Sequence, residues 1–394
     1  MLRHLPPTAT PLSFSDYCQG LRPPAVAPVR FQAALAHYLN AYSCELASSG
    51  RTALYLLLRQ LATEYPARQE VVLPAYTCPA LVKVTLDVGL WPCLVDISPC
   101  TLDFEPEQLA SRIHEGTLAV ICVHPFGIPQ PIKTVRTLAH TAGAVLIEDA
   151  AQAMGARIGE RPAGSQGDFG LFSLGPGKPL STGGGGILCA NNEKSARLLG
   201  AAWRALEPAP VAASAWAMLR LALLMVAFHP SGWWLATRAG LHRIGDHEAS
   251  WGYALRGLTA AQAAIGLALL PRLDAINERR GHNARRLAAR PQTFDFVHVP
   301  SIARTAKPIY LRLPLIVDSE ERRERLFRRL WAAGIGAGRM YRQSLPELFP
   351  QLTMQTYPGA TAVARRLLTL PTHHYVINDD MTRINAIFDL ERVR

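Results

Sequence analysis

Acidic residues, paired cysteines and long apolar runs are scarce in this chain, and each scarcity closes off a class of protein. Only 30 Asp and Glu stand against 41 Lys and Arg, a formal charge of +11 over 394 residues. That balance favours anionic partners, whether nucleotide-linked substrates, phosphates or an acidic membrane surface, without choosing among them. The seven cysteines include no C-x-x-C pair and no secretory leader is read. Reduced thiols in a cytoplasmic enzyme are therefore expected, with neither a disulfide frame nor a metal site. Arginine clusters at 278–290 and 321–329 have the spacing of amphipathic helices with solvated faces. No helix-turn-helix, zinc-finger or RNA-binding aromatic pattern accompanies them, which argues against nucleic acid.

At 394 residues, 49% of them hydrophobic, the chain exceeds a typical single core, so two domains are expected. Met1 to Pro28 is proline-rich with little helical periodicity, and is read as an extended arm over the surface or a partner subunit. Apolar spacing predicts helices at Phe31–Tyr42 and Gly50–Leu61, the second opening at a glycine turn whose N–H groups face an anion. Apolar runs at Glu70–Leu73, Leu90–Val95, Leu118–Val123 and Ala144–Ile147 alternate with helical patterns. This predicts an α/β layer with a mostly parallel sheet. One long helix is expected from Thr259 through Arg280 toward Ala289. It leads into a smaller α+β domain with a strand at Ile309–Val317, a helix at Glu320–Ala333 and a closing helix at Asp379–Asp389. The expected division is an arm at 1–28, a large domain at 29–288 with an apolar helical insertion at about 206–250, and a small domain at 289–394.

The chemistry lies in two segments. Val145-Leu146-Ile147-Glu148-Asp149-Ala150-Ala151-Gln152 is an apolar strand ending in acid, and Phe172-Ser173-Leu174-Gly175-Pro176-Gly177-Lys178 ends in a lysine on a turn. A buried strand-end aspartate can hold a pyridinium nitrogen, and a turn lysine can form a Schiff base with pyridoxal phosphate. The glycine run Gly183 to Gly186 that follows permits close backbone approach. It lacks the G-x-G-x-x-G spacing and strand-then-helix setting of a dinucleotide site.

These blocks, with Ser48-Ser49-Gly50-Arg51-Thr52, Pro74-Ala75-Tyr76-Thr77-Cys78, Gly334 to Tyr341 and Leu370 to His374, resemble the sugar aminotransferase family often called DegT/DnrJ/EryC1/StrS. That family is a branch of the fold-type-I pyridoxal-phosphate enzymes, and the likeness covers most of the chain. It implies a large domain with a mostly parallel central sheet flanked by helices, a smaller C-terminal α+β domain, pyridoxal 5'-phosphate as cofactor and a homodimer. It also implies that Lys178 carries the Schiff base and moves the proton, that Asp149 pairs with the ring nitrogen and that Gln152 meets the phenolic oxygen. Ser173, Gly50 and Arg51 fall on the phosphate positions. Tyr76, Tyr341, His373 and His374 are weaker candidates for the substrate end. Relatives that dehydrate sugars carry histidine at the lysine position, so Lys178 disfavours dehydration.

The chain departs from the family pattern at three places. Arg51 stands where threonine is usual, Ala254 where an asparagine crosses the dimer interface, and Cys78 where an aromatic ring packs on the cofactor. Arg51 is read as supplying the phosphate contacts that the absent threonine and asparagine would make, through its planar fork of donors. Tyr76 is read as a substitute for the missing ring at Cys78.

Between Leu206 and Gly252 the chain carries an unusually apolar stretch, Ala215 to Phe228, followed by Trp233-Trp234-Leu235. With Arg220 inside it, the run falls short of the roughly twenty residues that span a bilayer. Two readings stay open for 214–236: a membrane surface or lipid-linked substrate, or protein packing that caps a dimer or roofs the site. The enzyme is accordingly placed in the cytoplasm or peripherally at the inner face of the membrane. The function expected is amino transfer, from glutamate, to a keto sugar on a nucleotide or lipid carrier or to a related cyclic carbonyl. The rivals are a lyase or dehydratase on the same fold and a non-catalytic regulatory relative.

Overall fold

The computed structural model describes residues 3–240 and 252–392. Its centre is a seven-stranded sheet in the order Ser43–Ala47, Gly186–Ala190, Phe169–Ser173, Val145–Asp149, Thr117–Val123, Glu70–Pro74, Trp91–Val95. Gly186–Ala190 runs antiparallel to both of its neighbours. The other pairings are parallel.

The inner strands read as continuous apolar runs because both faces are covered. Val71, Leu73, Ile121 and Ile147 pack on one side with Leu54, Leu57, Leu58 and Leu61 of the helix Gly50–Glu64. Val72, Val120 and Leu146 face the other side, against Ile132, Val135 and Ala139 of the helix Ile132–Thr141. Alternate residues thus enter opposite cores, as the two-residue period of a strand requires.

A second, three-stranded antiparallel sheet, Val297–His298, Arg312–Val317 and Leu367–Pro371, packs with helices Glu320–Ala332 and Asn378–Arg392 around Leu315, Leu326, Leu330, Ile384 and Phe388. The expected α/β architecture with a smaller α+β unit is therefore present.

Two elements differ from expectation. The long helix from Thr259 is two helices, Ala260–Leu269 and Leu273–Ala289, separated by a 3₁₀ turn at Leu270–Arg272. Pro271 lies in that turn, lacks an N–H and cannot continue the first helix. The N-terminal arm is not extended throughout. It contains the helix Phe14–Leu21, started by a reciprocal capping box between Ser13 and Asp16, a signal present in the sequence. Glu45 of the edge strand accepts from Gln32 of the next helix, Ala27–Leu39.

The apolar stretch forms two helices, Val211–Ala227 and Pro230–Arg238, bent by 89°. Among the described residues no single helix is long and apolar enough to cross a membrane. Met218 and Leu221 turn inward, where a Cβ added to Gly20 would lie 2.6 Å from the Met218 sulfur and one added to Gly183 would lie 3.1 Å from Leu221. The outward face is apolar as well: Trp216, Leu219, Leu223 and Val226 are all at least half exposed, Leu223 at 62%. The part of the predicted insertion at 241–250, and Trp251, lie outside the described residues.

Candidate active site

The carboxyl ends of the parallel strands bring the predicted residues together, the edge at which open α/β sheets bind ligands. Asp149 ends its strand and pairs in register with Leu171 of the next. Ser173 ends that neighbouring strand opposite Gly186, and Lys178 follows on the Gly175–Lys178 turn, where the Lys178 N–H bonds the Gly175 carbonyl at 3.3 Å. Gly177 has φ of 73°, a left-handed conformation that glycine adopts without strain.

Asp149 is buried, and its Oδ1 accepts the Ala151 N–H at 3.0 Å. Burial pushes its carboxyl upward, opposed by that hydrogen bond and by the positive charge of Lys178. Burial pushes the Lys178 ammonium down, opposed by Asp149 and Cys78 and helped by the nearby Arg312 guanidinium. Each of the two groups is thus short of the counter-charge that would keep it ionised. A protonated ring nitrogen placed against Asp149 supplies it, and a lysine held toward its neutral form is the nucleophile that an aldehyde requires.

At the other end Gly50 opens the helix Gly50–Glu64, with the Ser49 hydroxyl capping the Thr52 N–H. A Cβ on Gly50 would lie 3.8 Å from the Ser173 Cβ, so the helix start and Ser173 share one corner. They meet because the glycine run allows it: a Cβ on Gly186 would fall 2.3 Å from the Gly50 nitrogen. The close backbone approach expected of Gly183–Gly186 is present. Ala254, at the position of the family's crossing asparagine, docks through its carbonyl, which accepts the Ser48 and Thr52 hydroxyls at 2.6 and 2.9 Å. Arg51 is partly buried beside Tyr253, close enough for its charge to act on that phenol.

Gln152 is oriented by the Phe126 N–H, which donates to its Oε1 at 3.0 Å and leaves its amide nitrogen against the Met340 sulfur at 3.9 Å. Cys78 precedes the helix Pro79–Asp87. Burial pushes its thiol up, while a bond from Ala80, the Lys178 charge and a hydrogen bond with Tyr341 act against that. Tyr76 does not stand in for a missing ring at Cys78. Its hydroxyl donates to the Met340 carbonyl and its ring meets Tyr341 edge-on at 5.8 Å. Tyr341 is the aromatic side chain that touches Cys78.

The two histidines make contacts of their own. His373 is buried with Nε2 on the Pro6 carbonyl at 2.8 Å, and burial lowers its pKa to about 3. His374 lies on Tyr375 with ring centroids 3.9 Å apart. His373 thus packs on the arm and His374 on its own loop.

Three features lay outside the sequence reading. Glu148, wholly buried beside Asp149, bonds His124 at 2.9 Å and accepts the N–H groups of Gly164, Gln166 and Gly167. The arm braces the lysine turn from behind, Thr8 donating to the Gly177 carbonyl at 3.1 Å and Thr10 to that of Lys178 at 3.3 Å. Arg312, at the start of its strand, reaches the same region. The capping box aside, only a strand-end acid next to Asp149 hinted at any of these.

Asp149, the turn lysine Lys178 and the Gly50–Ser173 corner lie at one edge of the sheet, and the donor set fits pyridoxal phosphate. The profile of the DegT/DnrJ/EryC1/StrS aminotransferase family matches residues 27–389. A curated relative, the L-glutamine:2-deoxy-scyllo-inosose aminotransferase of Streptoalloteichus tenebrarius, is 35% identical over 168 residues, which is 43% of this chain and 39% of the relative. The chain thus spans about two-fifths of the length of the first curated relatives it matches. Among solved structures, the sugar aminotransferase CalS13 from Micromonospora echinospora superposes with a TM-score of 0.78 at 25% identity, covering 98% of this chain and 99% of that one. The E. coli GDP-4-keto-6-deoxy-D-mannose-3-dehydratase with bound hydrated pyridoxal phosphate superposes equally well, at 0.78, but at 18% identity over 98% of this chain and 100% of that one. That second likeness speaks to fold alone.

Proposed function

The chain belongs to the DegT/DnrJ/EryC1/StrS aminotransferase family, and from that premise we propose that it is a pyridoxal-phosphate aminotransferase acting on a keto sugar or related cyclic ketone. The amino donor is an α-amino acid, glutamate as the sequence suggests or glutamine as the name of one relative indicates. The observation that carries the reading is the joint placement of Asp149, Lys178 and the Gly50–Ser173 corner at one sheet edge.

When bound, pyridoxal phosphate supplies an electron-accepting ring that carries the amino group between donor and acceptor. Asp149 would hold the ring N–H and keep it charged. The Gln152 amide nitrogen, whose contact in the structure is the weakly accepting Met340 sulfur, would donate to the phenolic oxygen. Gly50 and Arg51, at the helix start, and Ser173 offer N–H, guanidinium and hydroxyl donors to the phosphate. Lys178 would hold the aldehyde carbon through its ε-nitrogen and, once the donor nitrogen displaces it, would move a proton from the donor Cα to the former aldehyde carbon on the far side of that nitrogen. A lysine whose pKa is depressed by burial suits that second task.

A lysine at position 178 also favours transamination over the dehydratase alternative. The deciding experiment loads the purified protein with the cofactor, treats it with borohydride and maps the adduct. The adduct is expected on Lys178, absent in Lys178→Ala, and pyridoxamine phosphate should accumulate when glutamate or glutamine is added. A protein that takes up no cofactor, or that forms no pyridoxamine phosphate from either donor, refutes the assignment.

Three finer statements belong to the same proposal. The protein is a homodimer. The division at 28 and 288 separates the arm and the two domains. The exposed face of Val211–Ala227 and Pro230–Arg238 docks on an anionic membrane surface, where a lipid carrier would present the acceptor. Supporting the last, Val211–Arg238 contains Arg220 and Arg238 and no carboxylate, and Arg238 lies over the Trp234 ring at 4.9 Å. A basic helix with an apolar outward face has the composition of an interfacial anchor.

A further inference from the structure

The arm helix Phe14–Leu21 carries an apolar stripe on its outer side. Asp16 and Gly20 are its buried positions, whereas Phe14, Cys18 and Leu21 are exposed, Phe14 at 74% and Leu21 at 56%. Two residues along a helix turn it by about 200°, so Cys18, midway between Asp16 and Gly20, faces away from both. The inner side is locked to the apolar insertion. A Cβ on Gly20 would lie 2.6 Å from the Met218 sulfur and 2.8 Å from Ile265 of the helix Ala260–Leu269. Met218 belongs to Val211–Ala227, whose outward stripe is Trp216, Leu219, Leu223 and Val226. Two segments distant in sequence thus pack against each other, and each leaves an apolar stripe outside.

The charges around these stripes are of one sign. Ser13–Arg30 contains one carboxylate, Asp16, which is buried and paired with Arg272 at 2.6 Å. Val211–Arg238 contains none. Arg22, Arg220 and Arg238 are exposed, with no carboxylate within 4.0 Å among the described residues. A second copy of this chain docked here about a two-fold axis would set these arginines against the same arginines, with no acid on either side between them. An anionic bilayer supplies what the surface lacks, a hydrocarbon boundary for the stripes and phosphates for the guanidinium groups.

Both helices also stand beside the lysine turn. Thr10, whose hydroxyl donates to the Lys178 carbonyl, precedes Phe14 by four residues, a span of at most about 14 Å. From the other helix Leu221 lies 3.1 Å from a Cβ built on Gly183, five residues after Lys178.

We propose that the arm helix Phe14–Leu21 and the insertion helix Val211–Ala227 form one bipartite surface that docks on an anionic bilayer and holds the lysine turn close to it. The inference rests on the membrane reading of the insertion and adds to it a second element and a position for the catalytic turn. An acceptor on a lipid carrier would enter from the bilayer side, its sugar held near the headgroups.

The test uses the cofactor-loaded full chain and a charged, membrane-impermeant maleimide, with the labelling of Cys18 and Cys100 followed by peptide mass. Both thiols are exposed, and Cys100, on the loop after Trp91–Val95, is the internal reference. Vesicles of equimolar phosphatidylglycerol and phosphatidylcholine should slow Cys18 by about tenfold or more, as headgroups cover it, and leave Cys100 unchanged. Phosphatidylcholine alone should slow neither. The double variant Phe14→Ser, Leu21→Ser should raise the half-saturating concentration of anionic lipid by about tenfold or more, the scale of withdrawing two apolar side chains from contact. Its cofactor absorbance and melting temperature should match wild type, because both positions are exposed.

Cys18 labelled at its free rate while the protein sediments with anionic vesicles would overturn the assignment and leave the insertion as the anchor. Cys18 already slow without vesicles would overturn it in favour of a second copy covering the stripe. Equal protection by phosphatidylcholine would overturn the part given to the arginines and to lipid charge. Protein that never sediments with anionic vesicles is a different result, which removes the membrane reading and this inference with it.

Discussion

The Thr8 hydroxyl donates to the Gly177 carbonyl at 3.1 Å across 169 residues of sequence, tying the N-terminal arm to the turn that presents Lys178. The contact is close as well as polar: a Cβ on Gly177 would fall 2.4 Å from the Thr8 methyl. Thr8→Val keeps the shape and removes the donor, leaving a buried carbonyl unpaired, so a loss of about 1–3 kcal/mol is expected in urea unfolding. Gly177→Ala should cost more, because its positive φ and the Thr8 side chain both oppose a methyl. A Thr8→Val protein as stable as wild type would show that the arm merely rests on the turn.

The buried acid beside Asp149 predicts a pH dependence. Burial alone would raise the Glu148 carboxyl, but the hydrogen bond and charge of His124, with the N–H groups of Gly164 and Gly167, hold it below the usual range. A depressed folded-state pKa contributes stability above the unfolded value, about 4.3 for glutamate, and that contribution disappears as pH falls through the folded value. Glu148→Gln removes the charge and turns an amide N–H₂ toward donors. The expected loss at pH 7 is about 3–5 kcal/mol, the scale for breaking a buried pair. The gap between wild type and variant should narrow in acid. A gap that stays constant to the acid limit of folding argues against an ionised Glu148.

Gly50 separates binding from folding. A Cβ there meets the Phe172 carbonyl at 3.6 Å and the Ser173 Cβ at 3.8 Å, ordinary contacts. At a helix start alanine is also the better helix former. Gly50→Ala should therefore leave thermal stability of the apo-protein within about 0.5 kcal/mol while weakening cofactor retention in dialysis, because the methyl enters the phosphate corner. Arg51→Ala should weaken retention too if Arg51 replaces the family's threonine and asparagine. Equal retention in both variants would place the phosphate elsewhere.

The exposed stripe on Val211–Ala227 can be tested without disturbing the core. Deleting the helix would remove Met218 and Leu221, which pack inward. Replacing Trp216, Leu223 and Val226 by serine changes only the outward face. Wild type should sediment with vesicles rich in anionic lipid and the triple variant should remain in the supernatant, with the wild-type interaction weakened by salt. Wild type that stays soluble with such vesicles would leave protein packing as the role of this face.

How legible all this was depended on the range of the interaction. The inner strands and the strand-end Asp149 were readable because burial on both faces writes itself as an uninterrupted apolar run. Lys178 and Gly50 were readable because short, ordered motifs carry them. The break at Pro271 was hidden by apolar spacing that continues on both sides of it. Arg312 was invisible for a different reason: one arginine at the head of a strand looks like a solvated edge until the Gly338 turn is laid against it. Thr8 and Gly177, like Glu148 and the glycines it binds, meet only through the fold.

Cys78 gives the last prediction, because it stands where relatives carry a ring and the obvious repair is to restore one. The structure argues that this repair fails. Tyr341, held at a φ of 49°, already hydrogen-bonds the thiol, and Tyr76 is fixed edge-on to Tyr341 with its hydroxyl on Met340. A phenyl ring at position 78 must displace one of them, at a cost of about 1–3 kcal/mol for overpacking. Cys78→Phe should thus be less stable than wild type in urea and hold the cofactor no more tightly, whereas Cys78→Ser, nearly the same size, should stay close to wild type in both. Tighter cofactor binding in Cys78→Phe would mean that the space beside Lys178 is open to a ring and that Tyr341 does not fill it.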